Sequence, residues 1–211
     1  MAAKTANKKP KSILPPKITR EGLAAACQAR SALHVAEILA KDPQLGRFVD
    51  ATGSTMFFSA ARISSAECLA LFLPFSDPLF QSTDGTTALM HAAMARNLEC
   101  MALLLPISDP NAQTHHGWTA LMRCIANCDE PGVDLLLPVT DPSLKGRFLG
   151  QLLTATELSR HPSIPGSFGE DAGKRERIIH KVQARECERE SSIILSSCSP
   201  CETSQAKAPR L

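Results

Sequence analysis

The sequence predicts an all-α, helix-turn-helix repeat solenoid with capping helices and flexible termini. The first observation behind this is a 32-residue period: Gly53, Gly85 and Gly117, then Thr55, Thr87 and Thr119, then leucine-rich triplets at 71–73, 103–105 and 135–137. Pro74, Pro106 and Pro138 follow the triplets, and Asp77-Pro78, Asp109-Pro110 and Asp141-Pro142 come next. Without a gap, 53–84 and 85–116 share 14 identities, and 85–116 and 117–148 share 11. A fixed period of this size marks an array of stacked units. The second observation is the spacing inside a unit, where Ala88, Leu89, Ala92 and Ala93 form a narrow apolar face at helical intervals. Helices that short cannot bury such a face alone, so neighbouring units must cover it. The third is composition: 4% aromatic residues and no Tyr argue against a β-sandwich or barrel.

Each element then has a local reason. Residues 1–20 hold six basic side chains, no acid, and Pro10, Pro15 and Pro16, which predicts a disordered basic arm. Residues 21–52 read as a degenerate N-terminal repeat, with Leu33, Val35, Ile38 and Leu39 followed by Asp42-Pro43. In the units 53–84, 85–116 and 117–148, the threonine hydroxyl is placed to accept an orphan backbone N–H at the start of the first helix. The second helix, Leu98 to Leu105 in the middle unit with Met101, Leu104 and Leu105 buried, is stopped by proline. Asp-Pro then opens a turn, and the glycine heading each unit takes a positive φ. Pro131 fits only in the first turn of its helix, after Asp129 or Glu130. After Pro142, the residues Phe148, Leu149, Leu152, Leu153 and Leu158 are expected to form a closing helix ended by Pro162, with 149–160 as the C-terminal cap. A linker at 161–169 leads to a charged helix at 170–190 whose apolar stripe is Ile178, Ile179 and Val182. That helix either lies against the cap or stands apart from it, and 191–211 is a disordered tail.

The repeats resemble ankyrin repeats. Gly85-x-Thr87-Ala88-Leu89 and Gly117-x-Thr119-Ala120-Leu121 look like the family's Gly-x-Thr-Pro-Leu, with Ala for Pro. Ala92-Ala93, Leu98-Glu99, Leu104-Leu105 and the turn Asp109-Pro110-Asn111-Ala112 also resemble it, the turn being one residue short. The resemblance covers 53–148. The family's histidine after Pro-Leu is Phe58, Met90 and Met122 here, so cohesion between repeats is expected to rest on apolar packing.

Charge excludes several functions. The whole chain carries +2, and 21–169 holds nine basic against fourteen acidic residues, so no dominant field calls for nucleic acid. Glu176, Glu186, Glu188 and Glu190 would repel phosphate from the charged helix. No apolar run approaches the ~20 residues of a membrane span, and no secretory leader is visible. Cytoplasmic residence follows, with delivery to a host cell or import to a nucleus, for which Asn7-Lys8-Lys9-Pro10-Lys11 would serve, left open. Cys68, Cys100, Cys124 and Cys128 lie in apolar segments and read as reduced core residues. Cys198-Ser199-Pro200-Cys201 would need two more zinc ligands, and only Cys187 and His180 lie nearby. A nucleophile among Cys124, Cys128, His115 and His116 would need an electropositive cleft with an oriented base, and Cys124 is accounted for by the Ala position it takes, Ala60 and Ala92 in the other units. No phosphate loop or acid/base pair occurs. The expectation is a non-catalytic protein without cofactor or metal.

The resemblance implies a monomeric protein-binding module that presents a rigid concave face to another protein. It places contacts on the hairpin tips and the inner helices: Thr52, Ser54, Ser59 and Arg62; Asp84, Thr86, His91 and Met94; His115, His116, Trp118, Arg123 and Asn127. Trp118 is the preferred anchor, because an aromatic on an exposed tip is costly unless it binds; the alternative is that it lies on its own repeat. In a second reading the chain is a targeting or effector protein whose basic arm or charged tail docks to a partner or nucleic acid, with the repeats as carrier.

Overall fold

The computed structural model describes residues 18–51, 53–164 and 171–197. The arm before Ile18, Thr52, most of the 161–169 linker, the Cys198/Cys201 pair and the tail from 198 lie outside the described residues.

Helix pairs stack in two rows. The inner row is α1 (Arg20–Gln28), α4 (Met56–Ile63), α6 (Ala88–Met94), α8 (Ala120–Ala126) and α10 (Ala155–Arg160). The outer row is α2 (Ala32–Lys41), α5 (Ala66–Ala70), α7 (Leu98–Leu104), α9 (Glu130–Leu136) and α11 (Asp171–Ser197). A four-residue turn of helix, α3 (Gln44–Arg47), joins the first pair to the second. Each helix packs on its counterpart in the next pair, α4 on α6, α6 on α8, α7 on α9 and α9 on α11. The molecule is an ankyrin-like all-α solenoid in which three full repeats lie between one helix pair at each end.

The local chemistry accounts for the repeat. Thr55, Thr87 and Thr119 accept the amides of Phe58, Met90 and Met122 at 3.2–3.3 Å. Pro74 and Pro106 sit in the first positions of single 3₁₀ turns that end the outer helices. Asp42, Asp77, Asp109 and Asp141 each accept the amide two residues on, at 2.9–3.1 Å, so the Asp-Pro turn recurs four times. Pro131 lies in the first turn of α9 with Asp129 as the cap. Phe58, Met90 and Met122 are fully buried, as the missing histidine predicts. Met101 and Leu104 are also fully buried, whereas Leu105 starts the 3₁₀ turn and is only partly covered.

The C-terminal end departs from the sequence reading. Residues expected to begin a closing helix instead form a β-hairpin, β1 (Gly146–Phe148) with β2 (Gln151–Leu153), paired Gly146 to Leu153 and Phe148 to Gln151. Leu149 and Gly150 make the two-residue turn, both with positive φ (47° and 84°), the geometry that matches strand twist. The helix starts only at Ala155, fixed by a capping box between Thr154 and Glu157. Pro162 follows the helix end as expected.

The charged helix packs. α11 takes the outer-helix place beside α9 and α10 and runs to Ser197, beyond Glu190. Ile178 and Val182 are fully buried. Arg177 grips Glu130 with two bonds (2.9 and 2.8 Å), Lys181 reaches Glu130 (2.9 Å) and Asp134 (2.6 Å), and Arg189 pairs with Asp141. Burying two aliphatic side chains contributes ~1.5–3 kcal/mol each, against ~0–1 for an exposed ion pair. The apolar stripe therefore docks the helix, and the charges set its register. The paired cations lower the Glu130 carboxyl to about 2. A carboxyl held below its unfolded value stabilises the fold above that value, and the contribution disappears as pH falls toward the folded one. Glu130→Gln should accordingly speed amide exchange in 174–190 at pH 7 and 0.05 M salt, and the difference from wild type should shrink near pH 2. Equal exchange at pH 7 would show that this ion pair does not hold the helix.

One joint is imperfect. Asn97 caps α7 and donates to the carbonyls of Ser64 (2.8 Å) and Ala61 (3.3 Å) in the preceding unit. Its counterpart 32 residues later is Asp129, which is buried, with Oδ2 lacking a hydrogen-bond partner. Burial raises its pKa, so the ionised form costs stability above that folded value, and the cost is relieved on acidification. Asp129→Asn should stabilise the protein by about 1 kcal/mol at pH 7, and the gain should shrink as pH falls. A lower midpoint in urea at pH 7 would refute the equivalence with Asn97.

Candidate functional site

The connections between units are fingers that project past the inner helices. Gly85 and Gly117 turn them with φ of 81° and 79°. Backbone bonds join adjacent tips, His115 N–H to the Asp84 carbonyl (2.9 Å) and Arg147 N–H to the His116 carbonyl (2.7 Å). The hairpin is thus the last finger, aligned with the others. It has thirteen steps from Asp141 to the capping Thr154, where the preceding finger has ten from Asp109 to Thr119.

Trp118 stands at the base of the third finger. Its indole N–H donates to the Arg147 carbonyl at 2.8 Å, and its ring meets Phe148 edge-on at 5.7 Å. Arg147 and Phe148 lie in its own unit, 117–148, on the finger that leaves it, so the ring packs on its own repeat. The Arg123 guanidinium lies over the same ring, 4.5 Å from its centre. Arg123 is half-buried and its Nε has no hydrogen-bond partner; burial lowers its pKa, but a guanidinium stays charged.

One unit earlier, His91 occupies the Arg123 position. It stacks on Phe58 at 5.1 Å, and Phe58 in turn contacts Phe80 at 5.9 Å. Burial, and then the neighbouring Arg62, push its pKa down, with Asp84 opposing and Arg123 adding to the shift. Asp84 is held by its own turn: Ser82 and Thr86 donate to it, Thr86 Oγ1 at 2.7 Å, and the carboxyl falls to about 2. Ser54, Ser82, Asp84, Thr86 and His91 line a depression of about 260 Å³, below the ~300–1,000 Å³ of small-molecule sites.

The structure thus brings Arg62, Asp84, His91, Trp118 and Arg123 together, with Ser59 half-buried on α4 and His115 and His116 exposed on a tip. It gives other candidates work inside the stack. Thr86 is buried, with its hydroxyl on Asp84. Asn127 donates to the carbonyls of Ala93 and Met94 in the preceding unit, and Met94 is exposed at the end of α6. Ser54 closes a turn on Asp50. Thr52 is outside the described residues. Sequence reasoning passed over Lys145, Arg147, Leu149 and Leu152, all exposed on the last finger.

Nucleophilic chemistry at Cys124 has no support in this geometry. It is fully buried, and burial raises its thiol pKa, as it does for Cys27 (about 12) and Cys100 (about 11). Among the described residues no three His, Cys, Asp or Glu side chains converge in a metal-binding group, and no helix is long and apolar enough to cross a membrane.

No curated protein matches the chain. The family described as ankyrin repeats (three copies) matches residues 58–145, the span of the central units, and such repeats in general mediate protein–protein interaction without catalysis. With the period, the threonine caps, the glycine-turned fingers and that match in agreement, residues 58–145 of the chain are ankyrin repeats.

Proposed function

We infer that the chain is a non-catalytic, monomeric module that holds a partner protein on its inner helices and fingertips. The observation that carries this reading is the contiguity of Arg62, His91, Arg123 and Trp118 on one face, outside the repeat-invariant core. Such a surface offers rigid aromatic and guanidinium groups, the residue types that dominate binding hot spots. A cytoplasmic site of action suits the buried free thiols of Cys27, Cys68, Cys100 and Cys124.

The test is capture of partners by the full chain, by a chain trimmed of 1–17 and 198–211, and by Arg123→Ala. Trimming stops at 198 because α11 belongs to the stack. A partner retained by the trimmed chain and weakened ~1–3 kcal/mol by Arg123→Ala supports the face. A partner lost on trimming but indifferent to Arg123→Ala would mean that the arm or tail does the docking and the repeats are a carrier.

A further inference from the structure

We propose that the partner's contacting segment is acidic with apolar residues, and that it lies along a basic strip ending at the last finger. The proposal deepens the reading above and rests on it.

The strip is continuous. Arg62 and Arg123 both act on His91 through space, Arg123 covers Trp118, and Trp118 is bonded to Arg147 and packed on Phe148. Lys145 and Arg147 extend the positive charge onto the hairpin, whose neighbouring tip is His115-His116. Two carboxylates meet this strip, and both are occupied: Asp84 accepts from Ser82 and Thr86, and Glu157 of α10, within reach of the Lys145 charge, accepts the Thr154 amide. The outer helices of the three central units, α5, α7 and α9, carry the opposite sign, with Glu67, Glu99 and Asp134 exposed there. In a repeat region that is net negative, Arg62, Arg123, Lys145 and Arg147 stand on the inner and fingertip side. Arg123 adds a buried Nε with no partner, a donor that a carboxylate would satisfy.

The apolar requirement comes from the hairpin. Leu149 is 69% exposed and Leu152 61% exposed. Leu149 also holds φ of 47°, a left-handed conformation that is unusual for leucine. Exposed leucines beside Lys145 and Arg147 make an amphipathic tip at one end of the basic strip. A flat bilayer could meet the tip but could not follow the strip onto the inner helices, where Arg123 and His91 are half-buried. A chain segment can reach both, which favours protein over membrane.

Trp118 makes the test direct, since the chain has one Trp and no Tyr. The full chain is titrated with three 16-residue peptides carrying Leu at every fourth position and Glu, Gln or Lys elsewhere, and with vesicles of phosphatidylcholine and phosphatidylserine, while Trp118 emission is followed. The expected result is that the Glu peptide binds at least tenfold more tightly than the Gln peptide and weakens as salt rises. Arg123→Gln and Arg147→Gln should each reduce that affinity about tenfold. Arg147 engages the fold through its backbone, so its variant reads charge even if Arg123→Gln unfolds. Leu149→Ala with Leu152→Ala should weaken the Glu peptide as well. Preference for the Gln or Lys peptide, lost in Arg123→Gln, overturns the acidic class and leaves the binding face standing. A response to vesicles alone overturns the proposal in favour of a lipid surface. No response to any probe, or an affinity for the Glu peptide unchanged in both arginine variants, also overturns it.

Discussion

Leu104→Ala should lower the free energy of unfolding by about 2–5 kcal/mol. Leu104 ends α7 and is completely buried. Its helix touches α5 on one side and α9 on the other. A repeat stack has little means of closing a hole there, because each unit is held in register by its neighbours. Urea denaturation at 25 °C measures the loss, and a change within ~0.5 kcal/mol, typical of surface sites, would place the outer-row helix phase in error.

Gly117→Ala should cost at least ~1–3 kcal/mol, the range for a non-glycine residue held in a sparsely populated conformation. Its φ is 79°, and an added Cβ would run into the Lys145 carbonyl and come within 3.0 Å of the Gly146 Cα. Backbone, unlike a flexible side chain, cannot step aside without moving the whole hairpin. The variant should therefore disturb Trp118 as well, whose indole rests on Arg147. A blue- or red-shifted Trp118 emission with a lowered urea midpoint is the expected pair of signals. Gly150→Ala offers the comparison: its φ is 84° but its Cβ would meet open space, so it should cost less and leave Trp118 unmoved.

The repeats were legible because their determinants are local and recur in phase. A threonine, a proline or an Asp-Pro pair each fixes its own turn, and three copies of each confirm one another. The last finger broke that pattern. Phe148, Leu149, Leu152 and Leu153 have helical spacing, but Thr154-Ala155-Thr156-Glu157 is a capping box that starts the helix after them, and Gly150 lies in a turn. Those two signals were present in the sequence and outweigh the apolar spacing. The ends of the inner helices concealed another feature. Arg30, Arg96 and Cys128 adopt φ of 51–55° where glycine is the usual residue, so no glycine announced the turn. Trp118 was visible as a candidate, but its lean onto the Arg147 carbonyl depends on a hairpin that the spacing had disguised. Whether α11 would dock could not be read from alternating charge, since Glu130, Asp134 and Asp141 lie thirty or more residues away in the chain.

Phe58, Met90 and Met122 occupy the joint between units with hydrocarbon and thioether in place of a polar relay. That substitution changes which variable loosens the solenoid. Phe58, Met90 and Met122 themselves have no proton to gain or lose, so mild acidification leaves their own contacts uncharged. Their hydration carries a large heat capacity, however, and their cohesion weakens on cooling. They are also open to a chemical route that imidazole-linked joints lack, because oxidation turns a methionine thioether into a polar sulfoxide. With Met90 and Met122 fully buried, an oxidant reaches them only when units part, so the rate of sulfoxide formation at these two positions is a clock for how often the repeats come apart.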